Sequence, residues 1–395
     1  MSKNAYNYIV VGKGMIGSAA ARHLSTAHQG VALIGPDEPR DRTTHKGVFS
    51  SHYDEGRITR ILDDDIVWAT LAKRAIERYH PLEIQSGVQF YDNVGYLFIA
   101  DPNLELFSKL DRVGVALDAQ HERLGPDDLA ERFPYLSQNQ DYAGLFQSRM
   151  AGHISPRNIV KAQVAAARGQ GTRVVNSVVH KISTNGANTV VTTTDGDTYQ
   201  GQKVLIATGG FSNASGFLPS NIDFVVVGRT TLLARLGAEK LDDLSGMPSA
   251  VYAVRNGHIT YVLPPIQYPD GNFYVKVGID SDTDSHMSTL EDLRKWFQNG
   301  GSDENMQVLS SFIESFIPIL GGTETHEDTC VTTHTRSGYP YVCMIEGTSI
   351  GYAVGGNGIS AKSSDEIGRI AALMISNDEW VYDIPAEWFK PHFVE

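Results

Sequence analysis

An α/β fold in two parts is predicted. One part is a parallel sheet wrapped by helices, and the other is an α+β unit on a large, mostly antiparallel sheet. Three stretches predict it. The first is Tyr8–Ser25, YIVVGKGMIGSAAARHLS. An apolar strand runs into Gly12-Lys13-Gly14-Met15-Ile16-Gly17, and a helix of small residues follows at once. Gly12 permits the reversal from strand to helix, Gly14 lets a pyrophosphate approach the backbone, and Gly17 lets the helix pack on the strand. The free N–H groups of the helix start, around Met15 and Ile16, then face the phosphates. The second stretch is Val204-Leu205-Ile206-Ala207-Thr208-Gly209-Gly210, a buried strand ending where Thr208 and Gly209 let backbone approach a ligand. With the first motif it points to a Rossmann-type unit holding FAD rather than NAD. The third is the alternating run over 222–280, which reads as successive antiparallel strands.

Composition sets limits. The chain has 395 residues, 41% hydrophobic and 20% charged, with a formal net charge of −13. That length holds more than one core, and the negative charge disfavours nucleic acid or an anionic membrane as partner. Cys330 and Cys343 are the only cysteines and show no metal-ligand spacing. The chain starts straight into its first strand without a signal-peptide pattern, and no run approaches ~20 apolar residues. The expectation is a cytoplasmic protein with no metal and no membrane partner.

In order along the chain, Val31–Ile34 reads as the second parallel strand. Its end carries Gly35-Pro36 where a ribose-binding acid often sits, so Asp37 or Glu38 must supply that acid from the turn if one does. The polar loop 43–60 follows, rich in His, Ser and Arg, and such loops often reach the reacting end of a cofactor. Arg57 and Arg60 would share a face on a helical turn. Helices are predicted at 66–79, 104–113, 127–133, 155–168, 290–298, 305–316 and 359–375. Asn256-Gly257 signals a hairpin. Lys276 interrupts the apolar strand Phe273–Gly278 and is either a solvated edge-strand lysine or a buried cation with a purpose. Gly355-Gly356-Asn357-Gly358 opens the last helix as a second anion or carbonyl cradle. The predicted division is 1–85, 146–220 and 321–395 for FAD binding, and 86–145 and 221–320 for the substrate.

Six motifs in order, GKGMIG, GRITR, VLIATGG, FYVKVG, HEDTCVTT and GGNGISAKSS, resemble the glycine-oxidase/D-amino-acid-oxidase group of flavoproteins, most closely the monomeric sarcosine oxidase and N-methyltryptophan oxidase type. The resemblance implies an FAD-dependent oxidase of N-substituted amino acids or similar carboxylated secondary amines that reduces O2 to hydrogen peroxide. It places Gly12, Gly14 and Gly17 at the pyrophosphate and Val178 at the adenine. It places Cys330 on a cysteine bonded covalently to the flavin, and Lys276 on the lysine that activates oxygen, with Arg57 beside the flavin. Arg60 falls on the arginine that holds a substrate carboxylate. Lys362 lies near a second carboxylate-binding lysine, with Ser360 an equal candidate at one-residue offset. Gly356, Asn357 and Gly358 fall beside the flavin. Gly35 departs from the ribose acid, and Thr332 and Asp280 depart from an aromatic and a histidine around the substrate. A dehydrogenase passing electrons to a quinone or protein, a fructosyl-amine oxidase, and a flavin-binding protein without turnover remain as alternatives.

Overall fold

In the first sheet five strands lie side by side in parallel, in the order Arg173–Val175, Val31–Ile34, Ala5–Val11, Thr198–Ile206, Ile350–Val354. This computed structural model describes residues 4–137, 139–185, 188–253, 259–281, 284–377 and 379–394. A strand buried on both faces reads as a continuous apolar run, and Ile9, Val10, Ala32, Leu33 and Ile34 have no exposed surface. Antiparallel strands extend the sheet at each end of the long Thr198–Ile206 strand, Asn188–Thr193 with Val179–Asn185 on one side and Tyr341–Met344 beyond Ile350–Val354.

Three helices cover one face of this sheet. Met15–Ala27 packs between Pro156–Gly169 and Ser364–Ser376. Gly368 makes the approach possible, since a Cβ there would sit 2.5 Å from that of Ala19. Asp365 ties all three together, accepting from Arg22 at 2.6 Å and from Gln163 at 2.8 Å.

The second sheet is mostly antiparallel. Its order is Phe224–Leu236, Phe273–Ile279, Ile259–Gln267, Ser249–Ala253, Tyr96–Ala100, Ala143–Gln147, His121–Leu124. Only the Ser249–Ala253 and Tyr96–Ala100 pairing among these is parallel. Thr325–Thr335, assigned from sequence to the FAD-binding segments, is instead hydrogen-bonded along the free edge of Phe224–Leu236. The chain thus crosses from one sheet to the other after Thr335, not near residue 321.

Local expectations were revised in three places. Arg57–Thr59, read from sequence as part of the polar loop, is a short strand paired with Gly152–Ile154, because that pairing satisfies its backbone. The segment 66–79 breaks into Ile66–Ile76 and Tyr79–Ser86. The last helix does not open on the glycine turn: a 3₁₀ stretch, Ser360–Ser363, precedes Ser364–Ser376. The Asn256-Gly257 hairpin lies outside the described residues.

Candidate active site

The glycine loop is shaped by contacts that exclude side chains. Gly12 has a φ of +110°, and a Cβ on it would lie 2.2 Å from the Ala207 carbonyl oxygen. A Cβ on Gly17 would lie 1.9 Å from the Gly12 carbonyl oxygen. The helix start therefore rests directly on the strand end. Gly14 is the N-cap, and no side chain caps the first turn, so its donors are left for a ligand. Gly12, Gly14, Met15 and Ile16 line one wall of a long cleft; Gly17 lies behind them.

The other walls come from distant parts of the chain. Val178 lies between two strands at one end, its carbonyl accepting from Thr194 N–H at 2.8 Å. Thr208 and Gly209 end the long parallel strand on the floor. Cys330, Thr332 and Thr333 line the opposite wall with Gly356, Gly358 and Ser360. Asn357 is absent from the lining. Its Oδ1 accepts from Thr335 N–H at 2.9 Å and its Nδ2 donates to Gly355 O at 2.8 Å, so it pins the turn to the strand. Asp37 stands at the rim, two-thirds exposed, paired with Lys13 and accepting from Asn176 at 2.6 Å. Gly35 cannot carry the acid itself: its Cβ would meet the Lys13 backbone nitrogen at 2.6 Å.

This groove fits FAD. Its bare helix N-terminus faces the cleft, its glycines leave room where a Cβ would intrude, and the cleft runs on past Cys330. Among the described residues no group of three His, Cys, Asp or Glu could hold a metal.

A small cavity adjoins the cleft, sharing Ser50, Ser51, Tyr53, Arg57 and Cys330 with it and ending on Lys276. Lys276 is not an edge residue. Its strand lies inside the sheet, with Leu233 and Leu263 opposite, and the side chain is buried. Its Nζ contacts the Asp54 carboxylate and lies 3.4 Å from Gly56 O. Arg57 reaches the same carboxylate and donates to Ser51 O at 3.0 Å. Burial, with the Arg57 cation alongside, pushes the Lys276 ammonium well below the usual lysine range. Gly56 permits the approach of this loop, since a Cβ there would lie 2.7 Å from Leu263 Cδ1.

Arg60 and Lys362 are brought together, but on a carboxylate of the chain's own. Both contact Asp63, at 2.8 Å and 3.0 Å. The Arg60 guanidinium lies 4.9 Å from the Tyr96 ring and Lys362 Nζ 5.6 Å from the Trp68 ring. Neither lines the cleft, whereas Ser360 and Ala361 do. Burial alone would raise the Asp63 carboxyl, but Lys362 and Arg60 outweigh it and hold it at about 2. A carboxyl depressed in the folded state contributes stability above its unfolded value of about 3.9, and that contribution is lost as pH falls toward 2. Asp365 shifts in the same direction under His23, Arg22 and Arg78. Unfolding free energy from urea titrations should therefore drop steeply between about pH 4 and about pH 2. Asp63→Asn should lower it by roughly 3–5 kcal/mol at neutral pH, because two buried cations lose their counter-charge.

Asp54, Asp63 and His52 carried no role in the sequence reading. His52 is buried beside Gly14 with Nδ1 2.6 Å from Ser50 Oγ, and burial lowers it to about 3, so its ring is neutral. Each depends on a partner or wall that only the fold supplies.

The sequence profile of the family described as FAD dependent oxidoreductase matches residues 7–374. The chain belongs to this family. Curated relatives include monomeric sarcosine oxidase from Streptomyces avermitilis, 30% identical over 43% of this chain and 42% of that one. N-methyl-L-tryptophan oxidase from Yersinia pestis is 26% identical over 52% of this chain and 53% of the relative. The chain thus spans about half the length of the curated relatives it matches. NikD, described as an unusual amino acid oxidase essential for nikkomycin biosynthesis, superposes with a TM-score of 0.79 at 18% identity, covering 99% of this chain and 98% of that one. That likeness is one of fold.

Proposed function

We propose that this family member oxidises a secondary amine, of the N-substituted amino-acid class, and uses O2 as electron acceptor. The observation that carries the reading is the continuity of the glycine-cradled cleft with Cys330 and with the cavity that ends on a buried lysine. Bound FAD would accept a hydride equivalent from the C–H beside the amine nitrogen and deliver two electrons to O2, giving hydrogen peroxide. The chain's own residues do the rest. Gly12, Gly14 and the helix start hold the pyrophosphate, and Val178 flanks the adenine end. Arg57 is held by Asp54 and Ser51 at the border of the two cavities. Lys276 supplies positive charge where oxygen gains its first electron, which is where a fixed cation acts most strongly. Arg60 and Lys362, held together by Asp63, are in this reading the cations that attract a substrate carboxylate to the Ser360 end of the cleft.

An oxygen-consumption screen over N-methyl, N-alkyl and glycated amino acids tests the reading. Oxygen uptake with stoichiometric peroxide is expected for at least one carboxylated secondary amine. Flavin reduction without oxygen uptake would transfer the assignment to a dehydrogenase with a quinone or protein acceptor.

Covalent attachment of the flavin at Cys330 belongs to the same proposal. Cys330 is a free thiol on the cleft wall, and Cys343 lies elsewhere. After acid precipitation the yellow colour should stay with the pellet, and Cys330→Ser should move it to the supernatant. A colourless wild-type pellet would rule the bond out.

A further inference from the structure

We propose that Asp54 is the counter-charge that keeps Lys276 protonated and aimed into the small cavity beside Cys330, a positioning role that rests on the reading of Lys276 given above. Lys276 Nζ sits inside a sheet, between leucines, where an unpaired ammonium would lose several kcal/mol of hydration. The Asp54 carboxylate meets it there, itself 3% exposed. Four groups hold that carboxylate: Lys276, Arg57, the Glu55 backbone N–H, which donates at 2.8 Å, and the Tyr268 hydroxyl, which donates at 2.9 Å. Lys276 and Arg57 against Asp54 leave one net positive charge. Without Asp54, two cations would lie side by side in a dry site, and Lys276, the weaker base, would release its proton.

The remaining groups around Lys276 do not replace this partner. Asp328, on Thr325–Thr335, favours its charge, and Arg157, on Pro156–Gly169, opposes it. Tyr261, whose ring centroid is 6.0 Å from Nζ, and Tyr268 are both kept neutral by burial. A lysine already pushed down by burial and by Arg57 therefore depends on Asp54 for the charge it keeps.

The test compares Asp54→Asn, Asp54→Glu and Lys276→Met. In Cys330→Ser protein stripped of flavin, the ε-carbon NMR signal of Lys276, assigned by its loss in Lys276→Met, is followed between about pH 6 and about pH 10. Asp54→Asn should move its midpoint down by at least about one unit, and Asp54→Glu should restore most of it. In the holoenzyme, reoxidation of substrate-reduced flavin by oxygen should become pH-dependent. The ratio of rates at about pH 6 and about pH 9 should rise at least tenfold in Asp54→Asn, with Asp54→Glu close to wild type. An unshifted midpoint, or a loss of rate equal at every pH, would overturn the role of Asp54 while leaving Lys276 in place. Reoxidation at the wild-type rate in Lys276→Met would remove the role of Lys276, and that of Asp54 with it.

Discussion

Reoxidation of the reduced enzyme by oxygen should slow at least about a hundredfold in Lys276→Met, the range seen when one preorganised electrostatic donor is removed. Methionine keeps the length of the side chain and fills the same space among Leu233 and Leu263, so the sheet loses a charge without gaining a void. Anaerobic reduction by the amine should change far less, because the charge acts on oxygen. Two half-reactions measured by stopped-flow absorbance separate these effects. A variant that reoxidises at the wild-type rate would leave the buried ion pair as a structural feature only, and an equal loss in both half-reactions would point to a displaced flavin.

Gly17→Ala should give protein that binds FAD at least roughly ten- to hundredfold more weakly. The added Cβ would lie 1.9 Å from the Gly12 carbonyl oxygen and 3.2 Å from Ala207 Cβ, and neither is the free end of a flexible side chain. Helix and strand must separate, which removes the first-turn donors from the phosphates. Overpacking of this kind costs about 1–3 kcal/mol or more, and each 1.4 kcal/mol is about tenfold in affinity. Titration of flavin-free protein with FAD, in a Cys330→Ser background where the flavin is not bonded, gives the number. A change with room away from the cleft, Gly169→Ala, provides the control for folding: its Cβ would meet nothing within 4 Å. Gly17→Ala binding FAD as tightly as wild type would show that the cofactor does not use this turn.

What was legible from sequence was contiguous in sequence. The strand, glycine turn and helix at Ala5–Ala27 occupy one stretch, and the turn at Gly12 and the close packing at Gly17 follow from their offsets within it. The apolar runs at Val31–Ile34 and Thr198–Ile206 announced a sheet buried on both faces. The antiparallel run beyond residue 222 formed as its alternation required. What escaped depended on pairing across the chain. Asp54 and Lys276 are 222 residues apart, and nothing in the loop around Asp54 distinguishes it from a solvated acid. Asp63 likewise draws its partner Lys362 from the far end of the chain. The strand at Arg57 was not legible because three residues carry no period, and their partner strand Gly152–Ile154 is remote. The crossing of Thr325–Thr335 into the second sheet had no signal in composition, since a strand on the edge of either sheet reads alike.

The central claim is that the glycine-cradled cleft holds FAD and that an amine reduces it there. The direct measurement is the visible absorption spectrum of the purified protein under anaerobic conditions, before and after addition of carboxylated secondary amines. The account predicts flavin bands at the outset, bleached by at least one such amine and restored when oxygen is admitted. Protein that carries bound flavin which no amine of this class bleaches, or that takes up no flavin at all, would contradict it.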